Sequence, residues 1–186
     1  MAAKFPSVPR LGVLILALTA LGLGACGGGS DGRFDEKGFA ITFEYPEDFE
    51  ESDDVTISQQ QGAEAEDSRA VGLDSDNGIV VQRYALQRGI DEEELDLAKA
   101  EFDALLADLS PDAREGETTE VAGLPALLYA DVPVRSVERG QSRLVVLFDG
   151  RTEYLINCQS TPEKRDEVEE ACDLAVETLE RKGAGS

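Results

Sequence analysis

Residues 142–158 read Ser-Arg-Leu-Val-Val-Leu-Phe-Asp-Gly-Arg-Thr-Glu-Tyr-Leu-Ile-Asn-Cys, a pattern that specifies a β-hairpin. Two apolar runs, 142–148 and 153–158, flank Asp149-Gly150, a dipeptide suited to a hairpin turn. Side chains alternate along a strand, so Tyr154, Ile156 and Cys158 share one face. Just downstream, Thr161-Pro162-Glu163-Lys164 has the form of a helix start, with Thr161 as cap and Pro162 in the first position. From there Val168, Ala171, Cys172, Ala175, Val176 and Leu179 fall on one helical face. That face must cover a sheet. A Cys158–Cys172 disulfide would then staple the last helix to the last strand, and closing a loop of this length stabilises a fold by about 3 kcal/mol on the chain-entropy argument.

Upstream, the same signals repeat. Residues 40–45 alternate apolar and polar until Pro46, which predicts a half-buried strand with Ile41, Phe43 and Tyr45 inward. A weaker strand is expected at 55–60. Residues 69–73 and 79–86 flank Asp74-Ser75-Asp76-Asn77-Gly78, where Asn-Gly signals a hairpin turn. Asp91 opens a helix with Glu92, Glu93 and Glu94 in its first turn, placing negative charge at the positive end of the dipole. Its apolar stripe is Leu95, Ala98, Phe102, Leu105, Leu106 and Leu109, and Ser110-Pro111 ends it. Residues 117–122 and 125–137 add two strands, bounded by Gly123 and Gly140. The expected fold class is α+β: a mainly antiparallel sheet of about six or seven strands with two packed helices.

The amino terminus is of another kind. Lys4 and Arg10 precede an apolar stretch, Leu11 to Gly24, that is too short and too sharply ended for a spanning helix. It closes on Leu23-Gly24-Ala25-Cys26, which resembles the lipobox of bacterial lipoproteins. The resemblance implies removal of residues 1–25 and lipidation of Cys26 as the first mature residue. Acyl burial contributes about 0.8 kcal/mol per CH₂, so two or more chains suffice as an anchor. The expected organisation is therefore a signal peptide over 1–25, a lipidated cysteine and Gly/Ser tether over 26–33, one domain over 34–182 and a frayed tail over 183–186. The expected location is the extracytoplasmic face of a cell membrane.

Three cysteines are present. With Cys26 lipidated, Cys158 and Cys172 remain, and outside the cytoplasm such a pair reads as a disulfide rather than a metal site. The chain carries 39 acidic and 17 basic residues, a net −22; loss of Lys4 and Arg10 with the leader takes the side-chain charge to −24. That field repels nucleic acid and anionic surfaces and favours basic partners.

Several short motifs resemble the PsbP-like or Mog1-like α-β-α sandwich group of extracytoplasmic proteins. They are Phe43-Glu44-Tyr45-Pro46, Val121-Ala122-Gly123-Leu124-Pro125-Ala126, the strands at 145–149 and 154–158, and the closing helix. Phe49 stands where the group often shows an aromatic after Tyr-Pro. The resemblance covers most of 39–179 and implies the same fold. It also implies the company of assembly factors, adaptors and lipoproteins, and it carries over no binding residue.

No histidine occurs, which removes Ser-His-Asp and Cys-His hydrolases and the commonest metal ligand. There is no Gly-x-Ser-x-Gly elbow and no phosphate-cradling loop. The Asp74 to Gly78 segment fails calcium-loop spacing, because Leu73 falls where the first ligand belongs. The acidic run Glu47, Asp48, Glu50, Glu51, Asp53 and Asp54 reads as a solvated loop. These features predict a non-enzymatic interaction or adaptor module with no cofactor or metal, held at the membrane by lipid on Cys26 and docking a basic envelope protein. The alternative is a carrier of a small apolar or lipidic ligand between helix and sheet, beside Phe102, Leu105, Tyr129 or Phe148.

Overall fold

The computed structural model describes residues 32–52, 65–109, 114–134 and 138–183. In chain order the strands are β1 (Gly32–Phe34), β2 (Ile41–Tyr45), β3 (Glu50–Ser52), β4 (Asp67–Gly72) and β5 (Gly78–Ala85). Helix α1 (Leu95–Leu109) follows, then β6 (Glu117–Val121), β7 (Leu124–Val134), β8 (Gly140–Asp149) and β9 (Thr152–Ser160). Helix α2 (Arg165–Glu177) and the short β10 (Glu180–Arg181) close the chain. Seven strands form one antiparallel sheet in the order β3-β4-β5-β9-β8-β7-β6, and β1-β2-β10 form a separate three-stranded sheet.

The hairpin over 142–158 is the centre of the fold. Strand β8 pairs with β9 from Gln141↔Ser160 to Asp149↔Thr152, and β9 pairs with β5 on its other side. Leu144, Val145, Val146, Leu147 and Phe148 are all buried, because both faces of the sheet are covered. Val145 and Leu147 face α2 and β2, packing with Ile41, Phe43, Tyr154, Ile156, Val168 and Ala171. Leu144, Val146 and Phe148 face α1, packing with Leu95, Leu106, Leu127, Tyr129 and Leu155. The result is two apolar layers with a sheet between them.

Tight turns hold the register. Ala122 and Gly123 join β6 to β7 with φ of 53° and 76°, the positive pair that a two-residue hairpin turn requires. Between β4 and β5, Asp74 Oδ1 accepts from the N–H groups of Asp76 and Asn77 and from Asn77 Nδ2. The carboxylate is therefore saturated by its own loop, and this segment is the expected hairpin.

The structure differs from the sequence reading at identifiable points. Strand β2 lies outside the seven-stranded sheet, paired with β1 and β10, and its residues Ile41, Phe43 and Tyr45 pack in the core with α2. Gly32 and Arg33 belong to β1, opposite Tyr45 and Glu44, so the ordered strand begins inside the stretch assigned to the tether. Helix α1 begins at Leu95, four residues after Asp91, whose carboxylate instead caps a preceding turn through the N–H groups of Glu93 and Glu94. Helix α2 begins at Arg165 with Lys164 as cap residue and no side-chain cap. Thr161 is used otherwise: its N–H donates to Asn77 Oδ1 at 2.7 Å and its carbonyl accepts from Lys164 N–H. Leu105 is 37% exposed rather than part of the buried stripe. The expected strand at 55–60, with Asp53 and Asp54, lies outside the described residues.

Candidate functional site

Helix α2 crosses β2, β9 and β5, and leaves the same face of the outer strands β6, β7 and β8 only partly covered. A cleft of about 430 Å³ opens there. The sheet side includes Leu128, Gln141, Arg143 and Cys158, while Val168, Glu169, Cys172 and Asp173 contribute from α2. Arg114, Glu115, Glu117 and Asp131 also line it, approaching from β6, from the segment before it and from β7. The Cys158–Cys172 disulfide, Cα atoms 6.0 Å apart, ties β9 to α2 and forms part of the lining. The expected staple is thus in place, and it also shapes the cleft.

The cleft is charged. Arg143 pairs with Asp173 from sheet to helix, and Arg114 pairs with Asp131 at 3.4 Å. Both guanidinium groups are engaged in this way. Five carboxylates line the space, from Glu115, Glu117, Asp131, Glu169 and Asp173, against those two cations. Glu115 reaches Lys99 at 4.0 Å, whereas Glu117 and Glu169 have no ion-pair partner among the described residues. The Gln141 amide oxygen is buried without a hydrogen-bond partner. The Ser142 hydroxyl donates to the Asn157 side-chain oxygen, so it is held on the other face of the sheet.

Asp131 sits at a bulge between Tyr129 and Val132 with φ of 55°, a left-handed conformation that aspartate tolerates better than most residues. The bulge carries Asp131 away from the regular ladder and toward Arg114. No pattern in the sequence marks it.

The residues named for a carrier pocket, Phe102, Leu105, Tyr129 and Phe148, lie on the opposite face. Tyr129 and Phe148 are 1% and 2% exposed, and the Phe102 ring lies 6.2 Å from that of Tyr129. Tyr129 and Phe148 are thus core residues on the α1 side, and the cleft described above lies across the sheet from them. Two titratable groups on the α1 side escaped the sequence reading. Glu153, between Tyr84 and Phe148 in register, has its carboxyl pushed up to about 7 by burial. Its signal is a lone acid on the strand face that also carries Leu155. Burial also pushes Asp103 up, but the Gly116 N–H, Lys99 and the Tyr129 hydroxyl outweigh it and hold the carboxyl below its ordinary value. Burial and the Asp103 carboxylate raise Tyr129 well above the usual phenol range.

Among the described residues no group of three or more His, Cys, Asp or Glu is placed to hold a metal ion, and no helix is long and apolar enough to cross a membrane. Cys26 lies outside the described residues. Of the acidic run at 47–54, Glu50 and Glu51 are exposed strand residues of β3.

No protein-family model matches this chain, and no curated protein sequence matches it. Two solved structures are similar. A crystal structure from Bacteroides thetaiotaomicron VPI-5482 aligns with a TM-score of 0.50 at 10% identity over 83% of this chain, which spans about half (49%) of that protein. The solution structure of cyanobacterial PsbP, CyanoP, from Synechocystis sp. PCC 6803 aligns with a TM-score of 0.54 at 14% identity, over 85% of this chain and 96% of that one. The chain therefore has the PsbP-like α+β fold that its short motifs had suggested.

Proposed function

We propose that this protein is a lipid-anchored module of the extracytoplasmic membrane face that binds a protein partner and catalyses no reaction. The lipobox at Leu23-Gly24-Ala25-Cys26 supports the anchor, and the net charge of −22 supports a basic partner. The observation that carries the reading is the form of the cleft: open, walled by ion pairs, and set on a disulfide-braced frame. Rigid walls with a charged rim suit docking, where complementary charge speeds encounter and sets specificity. A second reading, carriage of a small apolar ligand, draws support from Leu128 and Val168 in the same lining.

Crosslinking in intact cells, comparing the anchored protein with a Cys26→Ala variant, tests the first reading. One reproducible partner that disappears with the anchor is expected. Absence of any partner, together with a co-purifying small molecule in native mass spectra, would favour the carrier.

A further inference from the structure

We infer that Asn77 is a latent deamidation site, held inert by the folded β4–β5 hairpin, and that its conversion to aspartate or isoaspartate releases the hairpin from the segment leading into α2.

Asparagine followed by glycine is the dipeptide most open to this chemistry, because a residue without Cβ lets its backbone nitrogen approach the preceding side chain. The step needs only water. Gly78 N–H gives its proton to solvent base and the nitrogen bonds to Asn77 Cγ; the Cγ–Nδ2 bond then breaks, and Nδ2 takes a proton from water and leaves as ammonia. Water opens the resulting cyclic imide at either carbonyl, giving aspartate or isoaspartate, and nothing is oxidised or reduced.

Packing demands both residues of the pair. A Cβ at position 78 would stand 2.6 Å from the Val71 carbonyl oxygen and 2.8 Å from Gly72 Cα, so the close approach of β4 and β5 requires glycine there. Asn77 uses both ends of its amide: Nδ2 donates to the two Asp74 oxygens at 2.9 and 3.0 Å, and Oδ1 accepts the Thr161 N–H at 2.7 Å. Beside it, Gln159 Nε2 donates to the Asp76 carbonyl at 3.2 Å. The bonds that require the amide also immobilise it. For Cγ to meet the Gly78 nitrogen, the side chain must leave Asp74 and Thr161, while Gly78 is held between Gly72 and Gln159 in the sheet. Asn77 is 4% exposed, so base and water reach it when the hairpin opens, and the rate follows that local opening. Conversion removes the Nδ2 donors and sets a second carboxylate against Asp74, a like-charge contact. Thr161 then loses a positioned acceptor, although its own carbonyl holds the Lys164 N–H at the entry to α2. A brief opening thus becomes a permanent one.

The test keeps the full chain at mildly alkaline pH and follows residue 77 by peptide mapping that separates asparagine, aspartate and isoaspartate. A synthetic peptide spanning 73–79 gives the unprotected rate. The full chain should react at least about tenfold more slowly, by the factor that the opening equilibrium sets. Asp74→Ala, which removes the acceptors of Nδ2, should speed the full chain about threefold or more, whereas Glu101→Gln on α1 should leave the rate unchanged. If Asp74→Ala does not fold, wild type in urea below its unfolding midpoint serves instead, and the rate should rise with urea. Converted protein, separated by charge, should exchange the amide hydrogens of Thr161 and Lys164 faster while those of α1 keep their protection. Equal rates in chain and peptide would overturn the inference. So would a rate indifferent to Asp74→Ala or urea, or converted protein with native protection at Thr161.

Discussion

On one face of the seven-stranded sheet the cover comes from both ends of the chain at once; on the other it comes from a single helix in the middle. The α2 side joins β1 and β2 from the amino terminus to α2 and β10 from the carboxyl terminus. Phe34 stacks on Phe43 with ring centres 4.6 Å apart, and Phe39 lies 6.2 Å from Tyr154. Thr178 Oγ1 accepts the Glu44 N–H and donates to the Leu174 carbonyl, while the Lys182 N–H donates to the Ala40 carbonyl. Its contacts are long in sequence and mostly apolar, with a disulfide across them. The α1 side is closed by one helix and keeps polar groups within or beside its core: Glu153, Asp103 and the Ser142–Asn157 hydrogen bond. The α2 face is thus sealed by chain-distant segments and a disulfide, whereas the α1 face encloses groups that titrate.

The sharpest way to break this contrast is to open the α2 side. Phe43→Ala removes a fully buried ring and should cost about 3–5 kcal/mol, read as a lower urea midpoint. A cost near 1 kcal/mol would mean that the layer is loose. Replacing Cys158 and Cys172 together by alanine should cost about 3 kcal/mol, and reductant should reproduce that loss in the wild type.

The α1 side should answer to pH. The Glu153 carboxyl titrates at about 7 when folded against an ordinary 4.5, so the folded state holds its proton more tightly. Its contribution is complete below pH 4.5 and falls as pH rises to about 7, by roughly 2–3 kcal/mol. Glu153→Gln should flatten that decline and raise the urea midpoint at pH 7.5 but not at pH 4. Asp103 has the opposite sign: held below its ordinary 3.8, it contributes above that value and loses its contribution as the solution becomes more acid. Asp103→Asn should therefore reduce the acid sensitivity of unfolding. An unchanged profile in both variants would erase the distinction between the faces. The smallest effect belongs to Leu97, half exposed on the outer side of α1, where Leu97→Ser should move stability by less than about 0.5 kcal/mol.

Much of this was readable in order along the chain. The alternation at 41–45, the Asn77-Gly78 and Asp149-Gly150 turns and the apolar face of α2 all led to the observed elements, because each is a local pattern with one economical outcome. Asp91 and Thr161 carry the pattern of helix starts, yet the helices begin at Leu95 and Arg165. In each case a capping-type residue is present, but its groups close a turn or bond a distant partner instead. The candidate site was less legible. Cys158 and Cys172 were assigned correctly as a pair, yet Glu117, Gln141 and Glu169 have no local signature. They line one cleft because β6, β8 and α2 come together, and the Gln141 oxygen is buried only by that packing.

Local patterns alone carried most of the element types, the cysteine pairing and the acidic field, since periodicity, turn chemistry and charge are properties of near neighbours. Packing settled that β2 pairs with β1 and β10 in a sheet of its own, that Glu153 is desolvated, and that a charged cleft opens beside α2. Those outcomes depend on which surfaces compete for the same cover, and that competition is resolved only when distant segments pack together.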